Sequence, residues 1–577
     1  MSSPAAGLPA EDWRAIGPCA PDLSAQVHRW AVRHGNRPFL EDARRERSLG
    51  LMDLSWLAEW WGATMDLAGV EREGIVGLAV RDPLLLGALL LSTWLGGRWA
   101  APIDPGSAPE TSDATLERIG VDVLVSDQAA RVARWPAASP GATSDRWARG
   151  PGRSGQPFEI AMPSGSPTEP AGRLWVAADP RASTFRAAWR RRRDPVDGGA
   201  GLARGGGVLL SSSGTTGAPK LVALSVSQLL TTAAAVARHH DLDERDRCFN
   251  PLPLFHVNAE VVALLASLAA GATVVLDDRF HRRGFWELMG RREISWINAV
   301  PAIVARLGDL HPGEVVPPGI RFVRSASAPL APATLARFEA ATGVAVLESY
   351  GMTEAASQIT ANPLDGRRKP GTVGVPVGVQ VRVVRRLEPV PGKAAGDAGR
   401  ASKACCATGA VGEVEVRGPS VITAYASAEH DARIDREGWL RTGDLGFLDA
   451  EGYLTLVGRD DDVINRSGEK IFPRELEQAV LGDPRVAAVA VVPEPDEVFG
   501  QVPVVYLTVD PAARPDRAAA AQVLEELRGR LLTKVVRSRR PAALHLVDAL
   551  PVGATGKVRR GEVRARPPVP TLTLHVA

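Results

Sequence analysis

Eleven residues, Leu210-Ser-Ser-Ser-Gly-Thr-Thr-Gly-Ala-Pro-Lys220, constrain this chain more than any other stretch. They follow Val208-Leu209-Leu210, an apolar run that reads as a strand. Gly214 and Gly217 let the backbone turn tightly and bring its N–H groups against a ligand. Ser212, Ser213, Thr215 and Thr216 add hydroxyl donors, and Lys220 adds a mobile positive charge. Such a lining suits a polyphosphate. It is not a Walker A loop, because Pro219 stands where that motif needs glycine and Leu221 where it needs Ser or Thr. Taken alone, a Ser/Thr/Gly run of this kind is more often a solvated turn.

At 577 residues the chain exceeds one hydrophobic core and divides into at least two domains. A net charge of +2 implies no obligate acidic partner, so nucleic acid is not expected. The four cysteines, Cys19, Cys248, Cys405 and Cys406, make no C-x-x-C pair, which argues against a disulfide framework or a zinc site. The N-terminus has no basic-then-apolar leader, and Leu84 to Leu95 is too short to span a bilayer. That run reads as a buried helix. A cytoplasmic protein without a transmembrane segment is the expectation.

Apolar stretches such as Ile75 to Val80 and Val123 to Val125 alternate with helical patterns, which predicts an α/β fold of layered sheets. Residues from about 133 to 206 break the alternation. They are rich in Pro, Gly, Ser, Ala and Arg, with Arg190 to Arg193 unbroken, and read as a mobile insertion with no core of its own. A second loose stretch runs from Glu388 to Gly412. Beyond Asp461 the pattern changes. Pro473 opens a helix, Val486 to Val492 and Val504 to Val509 read as strands, Ala518 to Leu532 as a helix and Leu544 to Val547 as a strand. The division expected is a large domain over 1–460 and a small α+β lid over 461–577.

Further blocks follow the loop in order: Tyr350-Gly-Met-Thr-Glu354; Trp439-Leu-Arg-Thr-Gly-Asp-Leu-Gly446; Gly458-Arg-Asp-Asp-Asp-Val-Ile-Asn-Arg-Ser-Gly-Glu-Lys470; and Leu550-Pro-Val-Gly-Ala-Thr-Gly-Lys-Val-Arg-Arg560. In this order they closely resemble the adenylate-forming acyl-CoA synthetases, which share a fold with peptide-synthetase adenylation domains and firefly luciferase. The resemblance runs from about residue 25 to about 560. It implies ATP, Mg²⁺, coenzyme A and a small carboxylic acid as the molecules bound.

The resemblance also implies roles. Ser212, Ser213, Gly214, Thr215, Thr216, Gly217 and Lys220 would hold the β- and γ-phosphates. Thr353 would meet the α-phosphate, and Glu354 the magnesium ion, although Glu354 also reads as an acid at a helix start. Ala328, Tyr350, Asp444 and Arg459 would hold the nucleoside, with Asp444 and Arg459 on the ribose. Asp444 alone is equally a turn aspartate. Asp461 would be the hinge, and Lys557 the catalytic lysine contacting both carboxylate and α-phosphate. Ser467, Gly468 and Lys470 would border the CoA channel once the lid has rotated. His256, Asn258, Ser325, Ser327 and Gly351 would line the acyl pocket. Ser325-Ala-Ser-Ala-Pro-Leu330 carries alanine where the family more often has glycine, which narrows that pocket.

A stand-alone adenylation enzyme loading a carrier protein is the alternative. Amino-acid-activating relatives carry an aspartate in the stretch matching Pro253 to Glu260, whereas Phe255-His256-Val257-Asn258 offers none, and only a short Pro-containing tail follows Lys557. A non-catalytic nucleotide binder would have no need of Lys557. No G-x-S-x-G elbow stands after a strand and no H-E-x-x-H helix occurs, so hydrolase chemistry lacks support.

Overall fold

The computed structural model describes residues 22–128, 158–161, 173–178, 205–212, 220–385, 404–426, 428–483, 485–509, 517–553 and 558–576. Two mixed sheets form its larger part. The first has nine strands, ordered Val375–Pro376, Ser357–Ala361, Ala345–Met352, Phe322–Ser325, Trp296–Ala299, Arg247–Asn250, Thr273–Leu276, Pro38–Asp42 and Ser48–Gly50. The six from Ala345–Met352 to Pro38–Asp42 run parallel. Sandwiched strands of this kind are continuously apolar because helices cover both faces.

The second sheet has seven strands: Phe158–Ala161, Arg173–Ala178, Val123–Ser126, Ile75–Ala79, Trp99–Pro102, Gly207–Ser212 and Lys220–Ser225. Helix Pro83–Leu95 is buried along its length from Leu84 to Trp94, joining residues of both sheets in one core. Asp82 caps it by accepting from the Leu85 amide, with Pro83 at the first position. The sequence reading of this run as a buried helix holds. Helix Val226–His239 belongs to the same core and carries a capping box from Ser225 and Gln228. No helix among the described residues is long and apolar enough to cross a membrane.

A four-stranded antiparallel sheet, Gln380–Val384, Gly412–Arg417, Leu440–Leu448 and Leu454–Arg459, leads to the smaller unit. That unit has its own hydrophobic clusters, drawn only from residues 464–576. Strands Val486–Asp496 and Gly500–Val509 form a long hairpin, covered by helices Pro473–Leu481 and Arg517–Lys534. The fold is thus α/β with a large N-terminal part and a small α+β C-terminal part.

Two sequence expectations need correction. The stretch from 133 to 206 is not devoid of core. Arg173–Ala178 pairs with Val123–Ser126, and its Leu174 and Val176 are fully buried. Leu174 to Ala178 are apolar without a break, but surrounding Pro, Gly and Ser masked the signal. The rest of 133–204 lies mostly outside the described residues, so the expectation of mobility falls there. The tail after Lys557 is also more than a tail. Leu572–His575 pairs antiparallel with Ala543–Leu546 at the edge of the smaller unit's sheet, as the alternating Leu572-Thr-Leu-His575 allows.

Candidate active site

The loop singled out in the sequence joins two antiparallel strands. Ser212 stands opposite Lys220 in register, and a strand, Lys220–Ser225, follows where a Walker A loop would open a helix. Ser213, Gly214, Thr215, Thr216 and Gly217 lie outside the described residues. Lys220 opens the return strand and lines a cavity of about 290 Å³. Burial, and then the nearby Arg433, hold its ammonium below the usual lysine range, while Glu354 and Asp461 pull the other way.

The floor of this cavity is the end of strand Ala345–Met352. Tyr350, Gly351, Met352, Thr353 and Glu354 all line it. Gly351 is required by packing: a Cβ there would lie 1.4 Å from the Ser357 carbonyl oxygen, across the tight pairing of the two strands. Thr353–Ala355 is only a three-residue 3₁₀ turn, so a helix dipole does little to place Glu354. Glu354 is instead fixed by Tyr425, whose hydroxyl donates to its Oε1 at 3.0 Å.

The opposite wall comes from the four-stranded sheet. Asp444 and Arg459 are register partners on neighbouring strands and both face the cavity. Tyr350 donates its hydroxyl to Asp444 Oδ2 at 2.5 Å, tying the floor to this wall. Burial and the adjacent Asp444 push the Tyr350 phenol well above its ordinary pKa, so it stays a donor. Ser327 and Ala328 also line the cavity, whereas Ser325, His256 and Asn258 are not among its lining residues. Asn258 reaches the cavity wall indirectly, donating from Nδ2 to Ser327 Oγ at 3.2 Å. Burial lowers the His256 pKa, which keeps the imidazole neutral.

Sequence reasoning missed several cavity residues. Arg433, Asp462, Arg474 and Arg560 line it, and so does Glu348. Arg474 had a legible signal: it occupies the first turn of helix Pro473–Leu481, where the dipole disfavours a cation, so its charge serves something outside the helix. It is buried, with Nε unpartnered, near Glu348 and Asp444. Arg560 bonds Asp462 and, at 2.7 Å, Glu477. Asp461 is the exposed residue of the 3₁₀ turn Asp460–Asp462, accepting from Arg459 Nε at 3.2 Å. Ser467, Gly468 and Lys470 lie on an exposed hairpin away from the cavity. Lys557 lies outside the described residues.

Burial raises the Glu348 carboxyl to about 7, with Arg474 and the Leu330 amide only partly offsetting it. Between its ordinary value of 4.5 and about 7 the unfolded chain ionises this group while the folded chain keeps it protonated. Rising pH therefore favours unfolding across that window, by up to about 3 kcal/mol at 1.36 kcal/mol per unit. Glu348→Gln is expected to remove this slope and to be the more stable protein at pH 8. Urea unfolding at pH 5 to 8 checks it; parallel profiles for the two proteins would mean that Glu348 ionises normally.

Five cations (Lys220, Arg433, Arg459, Arg474, Arg560) face four acids (Glu348, Glu354, Asp444, Asp462) in this one cavity. With Glu348 largely neutral at low pH, the site carries excess positive charge and suits a polyanion. A model of the AMP-binding enzyme family matches residues 27–426, and a model of the AMP-binding enzyme C-terminal domain matches 475–557. The chain belongs to the AMP-binding enzyme family. Within that family it is 40% identical over 356 residues to the sulfoacetate–CoA ligase of Cupriavidus necator, covering 61% of this chain and 65% of that protein. It is 36% identical over 369 residues to the oxalate–CoA ligase of Saccharomyces cerevisiae, covering 62% of this chain and 63% of that one. The chain therefore spans just under two thirds of the length of these curated relatives. Its fold matches ATP-bound MatB from Rhodopseudomonas palustris with a TM-score of 0.72 and 25% identity, over 94% of this chain and 98% of that one.

Proposed function

We propose that this AMP-binding enzyme joins a carboxylic acid to coenzyme A in two steps. The acid's carboxylate oxygen attacks the α-phosphorus of ATP, the bond to the β-phosphate oxygen breaks, and pyrophosphate leaves. The CoA thiol then attacks the acyl carbon, and AMP leaves with the bonding electrons. Both reactants of the first step are anions, so the site has to neutralise charge and hold the groups in line.

The observation that carries this reading is the meeting, in one cavity, of Lys220, the Tyr350–Glu354 segment and the Asp444–Arg459 pair, from three different sheets. In this reading Asp444, steadied by Tyr350, accepts from the ribose hydroxyls, and Arg459 adds a second contact. Lys220 and the 212–217 loop hold the β- and γ-phosphates, and Thr353 donates to the α-phosphate. Glu354 fits a Mg²⁺ ligand: it is a buried carboxylate held through one oxygen, and Mg²⁺ takes one or two carboxylates beside phosphate oxygens. When bound, that ion would neutralise phosphate charge.

Residues 461–577 form the lid in this proposal, with Asp461 as the hinge. Arg560, three residues beyond Lys557, lines the same cavity, which supports a lid orientation suited to adenylation. The exposed position of Ser467, Gly468 and Lys470 fits a CoA role that begins only after rotation. The names of the relatives put sulfoacetate and oxalate among the acids to try. Acid-dependent exchange of pyrophosphate into ATP, followed by CoA-dependent AMP release, tests the proposal. Exchange is expected with at least one short acid. ATP hydrolysis to ADP, indifferent to acid and to CoA, would contradict it.

A further inference from the structure

Behind Ser327 lies a fully buried arginine with no carboxylate partner among the described residues. Arg324 is 1% exposed. Its Nη1 donates to Asn258 Oδ1 at 2.6 Å and to Asn298 Oδ1 at 3.2 Å, and its Nη2 to Gln358 Oε1 at 3.3 Å. All three acceptors are neutral amides. Arg324 Nε and Gln358 Nε2 have no hydrogen-bond partner among the described residues. A buried guanidinium normally sits with a counter-ion, because an uncompensated charge in the interior is expensive. Burial brings its pKa down to about 9, which still leaves it charged at neutral pH. Glu260, buried in the helical turn Ala259–Leu265, has neither carboxylate oxygen hydrogen-bonded among the described residues, and burial pushes its pKa well above the usual carboxylate range.

The amides convert this charge into a directed set of donors. Because Asn258 Oδ1 is occupied by Arg324, its Nδ2 points the other way, to Ser327 Oγ. Ser327 in turn lines the cavity, on a residue held at φ 73°. A chain of side chains thus runs from the cavity wall through Asn258 to a positive charge without a carboxylate partner among the described residues, ending on the Gln358 amide oxygen. His256, two residues before Asn258, has its pKa lowered by burial and its Nε2 without a partner among the described residues. An apolar acyl tail threaded against this cluster would strand its donors without partners.

We infer that the preferred acid is short and carries a second anionic group, which accepts from the Ser327 hydroxyl with Asn258 and the charge of Arg324 behind it. This rests on the reading of the cavity as an acid-activating site. Arg324 acts here as a positioning residue: it turns Asn258 outward and supplies the compensating charge. A carboxylate and a sulfonate present the same oxygen-acceptor chemistry, so either serves. A fatty-acyl substrate does not.

Pyrophosphate exchange with malonate, succinate and 3-sulfopropanoate, compared with propanoate, butanoate and octanoate, tests this in the wild-type protein. At least one dianion is expected to exceed every monoanion in kcat/KM by about 10–10²-fold, the range for one partly buried charge pair. Arg324→Met should raise KM for the dianion by a similar factor and leave kcat and KM for butanoate within about threefold, while Arg324→Lys should recover part of the loss. A merely structural arginine would affect both acids alike, and that result would overturn the inference. Should Arg324→Met fail to fold, the wild-type ratio decides by itself. Equal use of monoanions and dianions leaves the acid-activating function standing and removes this inference; no exchange with any acid removes both.

Discussion

Replacing Lys557 by alanine is expected to slow acyl-adenylate formation by about 10²–10³-fold, the usual cost of one preorganised contact to developing charge. The proposed attack brings a carboxylate against a phosphate, and a lysine touching both oxygens neutralises charge that exists together only in the transition state. The cavity already holds Lys220 and Arg459 from the large part and Arg474 and Arg560 from the small part. None of these is proposed to reach the carboxylate and the α-phosphate at once. Thioester formation from a supplied acyl adenylate should stay within about threefold of wild type, since nothing of the second step uses a group that has rotated away. Single-turnover measurement of the two half-reactions separates them. Equal losses in both would remove Lys557 from the role proposed for it.

Asp461→Pro is expected to divide the half-reactions the other way. Asp461 sits in a three-residue turn between strands Leu454–Arg459 and Ile464–Arg466, a place where a change in backbone angles would swing everything beyond it. Proline fixes φ and removes an N–H, and the substitution also deletes the acceptor of the Arg459 bond. The orientation seen here, with Arg474 and Arg560 on the cavity wall, is the one the variant should keep. One adenylation turnover is therefore expected to survive, while thioester formation falls by about 10²-fold, the cost of groups held out of position. Stopped reactions with labelled ATP, with and without CoA, measure both. Undiminished thioester formation would mean that the lid turns elsewhere or need not turn.

The cavity was legible in the sequence wherever its chemistry is local. Tyr350 to Glu354 is five consecutive residues at one strand end, and Asp444 stands in a glycine-flanked block of its own. Lys220, Ser327, Ala328 and Arg459 likewise reach the cavity. What stayed hidden depends on register and packing. Asn298 and Arg324 are adjacent only because Trp296–Ala299 and Phe322–Ser325 pair in parallel with those two residues opposed. Gln358 and Asn258 join them from two further segments, and nothing in any single stretch announces the cluster. Nothing in the sequence around Glu348 marks it, because its raised pKa comes from burial. Arg173–Ala178 was lost for a different reason: a short strand needs a flanking pattern to be noticed, and its flanks are Pro, Gly and Ser. Asn258 could be placed near the acyl pocket by resemblance, but its link to Arg324 could not.

The most direct test of the two-step ligase reading is a count of AMP and free thiol in one reaction holding the protein, ATP, Mg²⁺, CoA and the best acid from the exchange panel. One thiol is expected to disappear for each AMP formed, and neither change should occur without the acid. AMP accumulating while the thiol of CoA stays constant, with the acyl group recovered on an added carrier-protein phosphopantetheine instead, would contradict it.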